Sequence, residues 1–541
     1  MATRLAAPPT VSGLDKVTVI AVGAVAGLIG WCATVHVCLR LWGRGRTALL
    51  PLPTVHGGEA AEPLPREVRR ERAGGDSSAA AAERTVLVTG GSGLVGASIL
   101  RHLLGTADTA GASSPPRARR FRYRVVSLDR QTPPRWSPRF VAGVEYVEGD
   151  LVILGVAGMG ALLRLHRADA VVHTAGVVQL RDDEGLLLNV NFGATLALLL
   201  ACRTEAPSVR AFVLTSSASV VNDGKAHARL LRPQDPPPDP LAEPRRFSTH
   251  YARSKALAEA ATLAASAGRK SGAPSAASPV GSSVRGSGAP WAGWASSPCP
   301  GFHTCALRLP GVYALGDPWM FGPLSKGELA VLPGNARARV EMVYAENAAY
   351  AHALAVDRLL SEAADDDGCG DGGSGDRGDR GHNDGDDEGS AGGFAARAFV
   401  SPAAAAARRG ELAAASCRGA VLHVTNGEPD WPMGAFVAAA HEKFQLQQPS
   451  GPPKPLPAWC SFVMVRLIEL AWWACAGCVP CKAHPAWDFT RAALGYMDHD
   501  GTLDTGGCEE RLGYRPLFGV QASLDHIHRR WLAQQAQEKL T

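Results

Sequence analysis

From residue 84 onward, short β-branched apolar runs alternate with longer stretches of helical periodicity. RTVLVTGGSGLVGASILRHLL opens the series with a strand, a glycine-rich turn, and a helix whose apolar positions recur every three or four residues. RYRVVSLDR, ADAVVHTAG and RAFVLTSSASVV read as further strands, with helical patterns in GALLRLH and LLLNVNFGATLALLLAC between them. Strands that are apolar on both faces need cover on both faces. The alternation therefore predicts an α/β fold, a doubly wound parallel sheet over residues 84–355, followed by a smaller lobe over 396–541.

The apolar pattern has two further peaks. Val17 to Leu39, VTVIAVGAVAGLIGWCATVHVCL, carries no charged residue. As a helix it spans roughly 35 Å, enough for a hydrocarbon core of about 30 Å, and it is longer than a signal-peptide core. Residues 1–46 are thus expected to hold a transmembrane helix at 17–39. Arg40, Arg44 and Arg46 follow it, while Arg4 and Lys16 precede it with Asp15 between, which leans toward a cytosolic body. The second peak, 458–479, includes Arg466 and Glu469, three apart on one helix face. Those charges suit a helix lying on a membrane surface, or beside an apolar substrate pocket, better than one spanning the lipid.

Other stretches lack the pattern. Residues 47–83 read as a linker, 105–120 and 266–300 as low-complexity inserts, and 361–395 as an acidic insert whose Asp residues have no fixed ligand spacing. Net charge is only +4 and no Lys/Arg run is present, which excludes a nucleic-acid footprint. The twelve cysteines are scattered along a long chain, as reduced cytosolic thiols are, rather than packed as a disulfide scaffold. Cys475, Cys478 and Cys481, with His484 beyond, could hold zinc or an iron–sulfur cluster by spacing. Their apolar, Trp-rich setting favours packing or acylation, and no metal is expected.

Candidate chemistry begins at the first turn. TGGSGLVG sets Gly90, Gly93 and Gly96 three apart between strand and helix. The first glycine permits a tight turn, the second lets a pyrophosphate approach the backbone, and the third lets helix and strand pack closely. Gly90, Gly93, Leu94, Val95 and Gly96 are accordingly expected to bind a dinucleotide. Asp129 ends the next strand, where a carboxylate accepts hydrogen bonds from ribose hydroxyls and repels a 2′-phosphate, favouring NAD. Arg130 beside it leaves NADP open.

Tyr251 and Lys255, in HYARSKALAE, share a helix face at i, i+4. A free phenol is a poor base near neutrality; a neighbouring ammonium and an oxidised nicotinamide would both favour its ionised form. Ser217, in TSSASVV, is placed to hydrogen-bond the reacting oxygen; the other reading is a strand-end cap. Asn191, in NVNFG, ties a helix or a water chain to the site, or caps.

The order TGGSGLVG, LD, GDL (149–151), VVHTAG (171–176), NVNFGAT (189–195), TSS (215–217) and YARSK (251–255) resembles the extended short-chain dehydrogenases, with their Rossmann-type domain and C-terminal substrate lobe. TCALRLPGVYALGD (304–317), MVYAENAAYAHALA (342–355), HVTNGEPDWPMGAF (423–436) and RLGYRP (511–516) are similar to the 3β-hydroxysteroid dehydrogenase branch, which includes sterol-4α-carboxylate 3-dehydrogenases. The resemblance spans about 84–535, inserts excepted. It implies that Tyr251 accepts the proton, Lys255 binds the nicotinamide ribose, Ser217 completes the catalytic set and Asp150 lies near the adenine. It further implies a hydrophobic steroid or sterol substrate, and a membrane setting in the endoplasmic reticulum; a homodimer is left open. The chain departs from the family at Leu309, where proline usually follows the arginine, and at Ala314, where glycine is usual; both border the nicotinamide and substrate side. Two other readings stand beside it: an extended reductase or epimerase acting on a nucleotide sugar or flavonoid-type ketone, and a non-catalytic dinucleotide-binding scaffold. Trp, Phe, Leu and Val with few cations over 425–481 count against a sugar nucleotide, and an intact Ser–Tyr–Lys set counts against a scaffold.

Overall fold

The computed structural model describes residues 83–178, 184–224, 227–266, 301–318, 331–368, 416–428, 431–444, 453–475 and 490–538, with isolated positions at 290–291, 294, 299 and 321. The segment 17–39, the linker at 47–82, most of the 266–300 insert, residues 369–395 and Cys478, Cys481 and His484 lie outside them.

Seven parallel strands form the central sheet. In chain order the elements are β1 (Glu83–Thr89), α1 (Leu94–Leu104), β2 (Arg122–Asp129), β3 (Glu145–Glu148), α2 (Leu151–Leu165), β4 (Ala170–His173), α3 (Glu184–Glu205), β5 (Ala211–Ser217), β6 (Ala228–Leu231), α4 (His250–Ala265) and β7 (His303–Leu309). Then come β8 (Gly311–Tyr313), β9 (Val331–Leu332), β10 (Met342–Tyr344), α5 (Ala345–Gly368), β11 (Ala420–His423), α6 (Met433–Phe444), β12 (Lys454–Pro455), α7 (Ala458–Cys475), α8 (Arg491–Asp498), β13 (Gly501–Leu503), α9 (Gly506–Leu512) and α10 (Val520–Glu538). Across the sheet the order is β3-β2-β1-β4-β5-β7-β11, so the winding reverses between β1 and β4. Ligands of open parallel sheets bind at the carboxyl ends of the strands flanking such a reversal.

Period-two alternation explains the two cores. Val86, Val88, Val125, Val172 and Val213 face one cluster, which α1, α5 and α10 cover. Leu87, Val126, Leu128, Val171, Phe212 and Leu214 face the other, under α2, α3 and α4. Helix α3 is long and apolar enough to cross a membrane, but most of it is buried against the sheet, so it is an interior helix. Its turns at Leu188–Gly193 and Ala201–Glu205 widen to π geometry, and Asn191 stands at the first of these.

Two expectations need adjustment. The 105–120 insert has no regular element, as predicted, yet it is strapped down by polar bonds. Asp108 meets His526 at 2.9 Å, the Ser113 N–H donates to the Leu517 carbonyl at 2.6 Å, and the Arg117 N–H donates to the Tyr350 hydroxyl at 2.9 Å. Such a segment needs no apolar core of its own when the body satisfies its backbone groups. The acidic insert begins later than expected, because α5 continues through Ser361 to Gly368. There Glu362 pairs with Arg358 at 2.7 Å and Arg418 at 3.2 Å, which anchors the helix end. In α7, Arg466 and Glu469 do share a face, 3.2 Å apart, and Glu469 reaches on to Arg491 of α8 at 2.9 Å.

Candidate active site

The glycine turn closes the carboxyl end of β1. Gly90 has φ +75°, and its N–H donates to the Leu128 carbonyl at 2.9 Å. A Cβ there would lie 2.6 Å from the Ala175 backbone nitrogen, so the loops after β1 and β4 touch through glycine alone. A Cβ on Gly96 would fall 2.1 Å from the Gly90 carbonyl oxygen, which forces glycine where α1 crosses the turn. Gly93 differs: a Cβ would meet only the Gly90 carbonyl, at 3.1 Å. Gly93 caps α1 with no side-chain bond, so its first-turn amides face the cleft without a protein acceptor from the cap, and half-buried Leu94 and Val95 follow. A turn cleared of side chains at a helix N-terminus suits a pyrophosphate, and these residues fit a dinucleotide. Gly91 is hemmed in by a side chain rather than by backbone, since a Cβ there would lie 2.2 Å from the Ser127 hydroxyl.

Asp129 joins this turn from β2. Its carboxylate accepts from the Ser92 N–H at 3.0 Å and the Arg130 N–H at 2.8 Å, fixing it at the rim of the cradle. The Gly149 N–H donates to the Asp129 carbonyl at 2.8 Å, which brings Asp150 alongside. Asp150 caps α2 through the Val152 N–H at 2.8 Å. Both expected rim carboxylates thus flank one cleft, each half-buried.

Helix α4 supplies the other wall. Thr249 caps it through the Ala252 N–H at 3.0 Å, starting the helix at His250, so that Tyr251 stands in its first turn and Lys255 in its second. Tyr251 is half-buried; Lys255 and Glu259, one and two turns further, are buried. Asn191 holds the loop after β4 to this helix. Its amide oxygen accepts from the Val177 N–H at 2.8 Å, and its NH₂ donates to the Val177 carbonyl at 2.9 Å and to Ser254 Oγ at 3.1 Å. The Lys255 ammonium ends beside that loop, 3.8 Å from where a Gly176 Cβ would stand. Ser217 caps the strand end, one of the two readings made of it. Its hydroxyl accepts from the Ser219 N–H at 3.2 Å, and it faces the Tyr251 phenol as the group favouring ionisation. The fold therefore brings together Ser217, Tyr251 and Lys255 from β5 and α4, beside the turn that carries Gly90, Gly93 and Gly96.

The electrostatics correct one expectation. Burial pushes the Tyr251 phenol up from its ordinary value, with only Ser217 opposing, so the Lys255 ammonium does not bring it down in the protein alone. Burial likewise pulls Lys255 down to about 8, with the Glu259 carboxylate opposing. Desolvation penalises both charged forms, and at this depth it outweighs the single neighbouring charge.

Sequence reasoning gave no role to Glu259, Arg308, Tyr496 or Gly224. Glu259 accepts from the Ser216 hydroxyl at 2.6 Å and from Arg308 Nη2 and Nε at 2.6 and 3.0 Å. It was visible as the next i+4 position after Lys255, whereas Arg308 required the strand register. Tyr496 of α8 bonds the Ser248 hydroxyl at 3.0 Å; burial pushes its phenol up to about 12, and the neighbouring Tyr251 adds to the rise. Gly224, at φ +65°, lets α8 approach, for a Cβ there would lie 2.9 Å from the Tyr496 nitrogen. Among the described residues no cluster of three or more His, Cys, Asp or Glu could hold a metal.

Residues 86–276, which carry the glycine turn and the Ser–Tyr–Lys set, match the NAD dependent epimerase/dehydratase family. NAD, the cofactor expected from the cradle, is the one in the family's description. Over 299 residues the chain is 27% identical to the 3 beta-hydroxysteroid dehydrogenase/Delta 5-->4-isomerase of Mycobacterium tuberculosis, which covers 53% of this chain and 64% of that enzyme. It is 31% identical over 196 residues to the decarboxylating sterol-4-alpha-carboxylate 3-dehydrogenase of Schizosaccharomyces pombe, 35% of this chain and 45% of that one. The chain thus spans less than two thirds of the length of either relative. Among solved structures, the UDP-glucose 4-epimerase of Thermotoga maritima superposes with a TM-score of 0.47 at 13% identity, covering 83% of this chain and 99% of the epimerase.

Proposed function

From a dinucleotide-binding domain matching that family, we propose that this protein is an NAD-dependent oxidoreductase that oxidises the 3β-hydroxyl of a steroid or sterol to a ketone. The observation that carries the reading is the convergence of Ser217, Tyr251 and Lys255 beside the turn of Gly90, Gly93 and Gly96. Tyr251 takes the hydroxyl proton, Ser217 holds the substrate oxygen, and Lys255 balances the charge that develops on the phenol. Asp129 and Asp150 bind the adenosine end, and Asp129 excludes a 2′-phosphate by repulsion, favouring NAD over NADP. NAD supplies the hydride acceptor and a positive charge near Tyr251. On a 4α-carboxylated sterol the product would be a β-keto acid, which loses carbon dioxide readily because the ketone accepts the electron pair.

The steroid assignment is supported by the two relatives named above and by the sequence motifs of the C-terminal lobe. With the body placed in the cytosol by Arg40, Arg44 and Arg46, and the endoplasmic reticulum taken from the family resemblance, a membrane setting is supported by the apolar run at 17–39. It is also supported by Trp459 and Phe462, exposed one turn apart on α7.

The test is Tyr251→Phe in the purified protein, assayed by NADH formation with sterols, 4-carboxysterols and UDP-sugars. Turnover should fall by roughly 10²- to 10⁴-fold with NAD affinity nearly unchanged. Turnover that survives would refute the role of Tyr251, and turnover confined to UDP-sugars would refute the substrate class.

A further inference from the structure

Helix α4 buries two charged residues beyond the Lys255 of a Ser–Tyr–Lys site, Arg253 and Glu259. Tyr251, Lys255 and Glu259 lie at i, i+4 and i+8, on one face. Glu259 is 1% exposed and Arg308 is fully buried, and the two meet through two bonds, at 2.6 and 3.0 Å, with Ser216 Oγ donating to the same carboxylate at 2.6 Å. Removing two charges from water is costly, so a buried pair is weak evidence of a stability role and directs attention to function.

Arg253, on the same helix, is paired with Glu184 at 2.7 Å, and Tyr496, beside Tyr251, is a phenol that burial pushes up to about 12; the histidines and the amide around the row are neutral. His173 of β4, close enough to Lys255 to feel its charge, is held between the hydroxyls of Thr89 and Thr195 at 2.7 and 2.8 Å, and burial pulls it down to about 3. Asn191 on α3 presents an amide. His423 of β11, opposite Arg308 in the register, is likewise pulled down to about 3 by burial. Arg308 also reaches the Pro233 carbonyl at 3.5 Å. With Tyr251 ionised, the row alternates: phenolate, ammonium, carboxylate, guanidinium. Without Glu259, two buried cations would remain with no anion between them.

We infer that Glu259, clamped by Arg308 and Ser216, is the counter-charge that opposes the loss of the Lys255 proton to burial, so that with NAD bound beside the phenol the first proton lost by the Tyr251–Lys255 pair leaves the phenol and not the amine. Glu259 is a positioning residue; it acts through Lys255 and touches neither substrate nor cofactor. The electrostatic reason is distance. Glu259 is one turn from Lys255 and two from Tyr251, so it favours the ammonium more than it opposes the phenolate. Loss of one proton can leave the pair as phenolate–ammonium or as phenol–amine, and only the first can accept a substrate proton at Tyr251.

The inference rests on the acid–base roles proposed above. Its test therefore reads the phenolate directly, by near-ultraviolet absorbance of the NAD-saturated protein during an alkaline titration. The Tyr251→Phe spectrum, subtracted in each background, isolates Tyr251. Glu259→Gln keeps the hydrogen-bonding shape and removes the charge. The Tyr251 signal should then move to the alkaline side by about one pH unit or more, a tenfold change. An unmoved signal, or one moved to the acid side, overturns the inference. If Glu259→Gln does not fold, Glu259→Gln/Arg308→Gln removes both buried charges, and a smaller shift in the same direction is expected of it, since the Arg308 cation is lost as well. Turnover surviving Tyr251→Phe would sink the proposed function and leave this titration interpretable.

Discussion

The two walls of the cleft are built on opposite principles. Around the glycine turn, function depends on what is missing: no side chain at Gly90 or Gly96, and helix amides left facing the cleft. Along α4 it depends on what is present and buried, namely Tyr251, Lys255 and Glu259 with Arg308 behind them. The glycine turn should be sensitive first to added volume, and the α4 wall first to lost charge. A cleft of this kind can fail in two ways, by losing its cofactor or by losing control of a proton.

Arg308→Met is the largest test of that contrast. It keeps most of the volume and removes the cation, leaving Glu259 buried and uncompensated. Breaking such a pair on one side costs about 3–5 kcal/mol, which a denaturant titration would measure. A loss within the error of wild type would mean that water or backbone compensates Glu259, and the α4 wall would not be governed by charge.

The glycine wall makes a finer prediction. Gly96→Ala places a methyl 2.1 Å from the Gly90 carbonyl oxygen and must shift the backbone. Gly93→Ala meets the same oxygen only at 3.1 Å, on the side facing the cleft. The Gly96 variant should lose about 1–3 kcal/mol of stability along with NAD affinity. The Gly93 variant should keep most of its stability and lose chiefly affinity. Calorimetry of unfolding and of NAD binding separates the two. Equal stability losses would remove the distinction drawn between packing and phosphate approach.

How far each wall could be read from sequence follows the same division. Gly90, Gly93 and Gly96 are legible because strand, turn and helix are local, and the steric requirement falls within one run. Tyr251 and Lys255 are legible because helical periodicity brings i and i+4 together. Arg308 was noticed only for the residue after it, since its bond to Glu259 crosses 49 positions and depends on which strand lies beside β5. Tyr496 was not noticed at all; its contact with Ser248 spans 248 positions and depends on Gly224 making room. The 105–120 insert misled in another way. Composition correctly reports a missing core, but it is silent about backbone groups that the rest of the body satisfies. Phenol acidity was misjudged because spacing reveals a neighbouring charge without revealing how deeply both groups are buried.

The smallest expected effect concerns pH and bears on that burial directly. Lys255 titrates near 8 in the folded protein, below its ordinary value of 10.5. Between those limits the unfolded chain binds more protons at this position than the folded one, so this residue's contribution to stability rises as pH increases. The wild-type protein should therefore gain stability relative to Lys255→Met between about pH 8 and 10, read as a widening difference in melting temperature. Tyr251, pushed up by burial, begins to oppose the trend only above its own ordinary value of 10.0, which sets the upper end of the window. A difference that narrows over this interval would mean that Lys255 is held above its ordinary value by stronger pairing than Glu259 alone provides. The α4 wall would then be an ion cluster of fixed charge, and the proton would have to be controlled from the cofactor side.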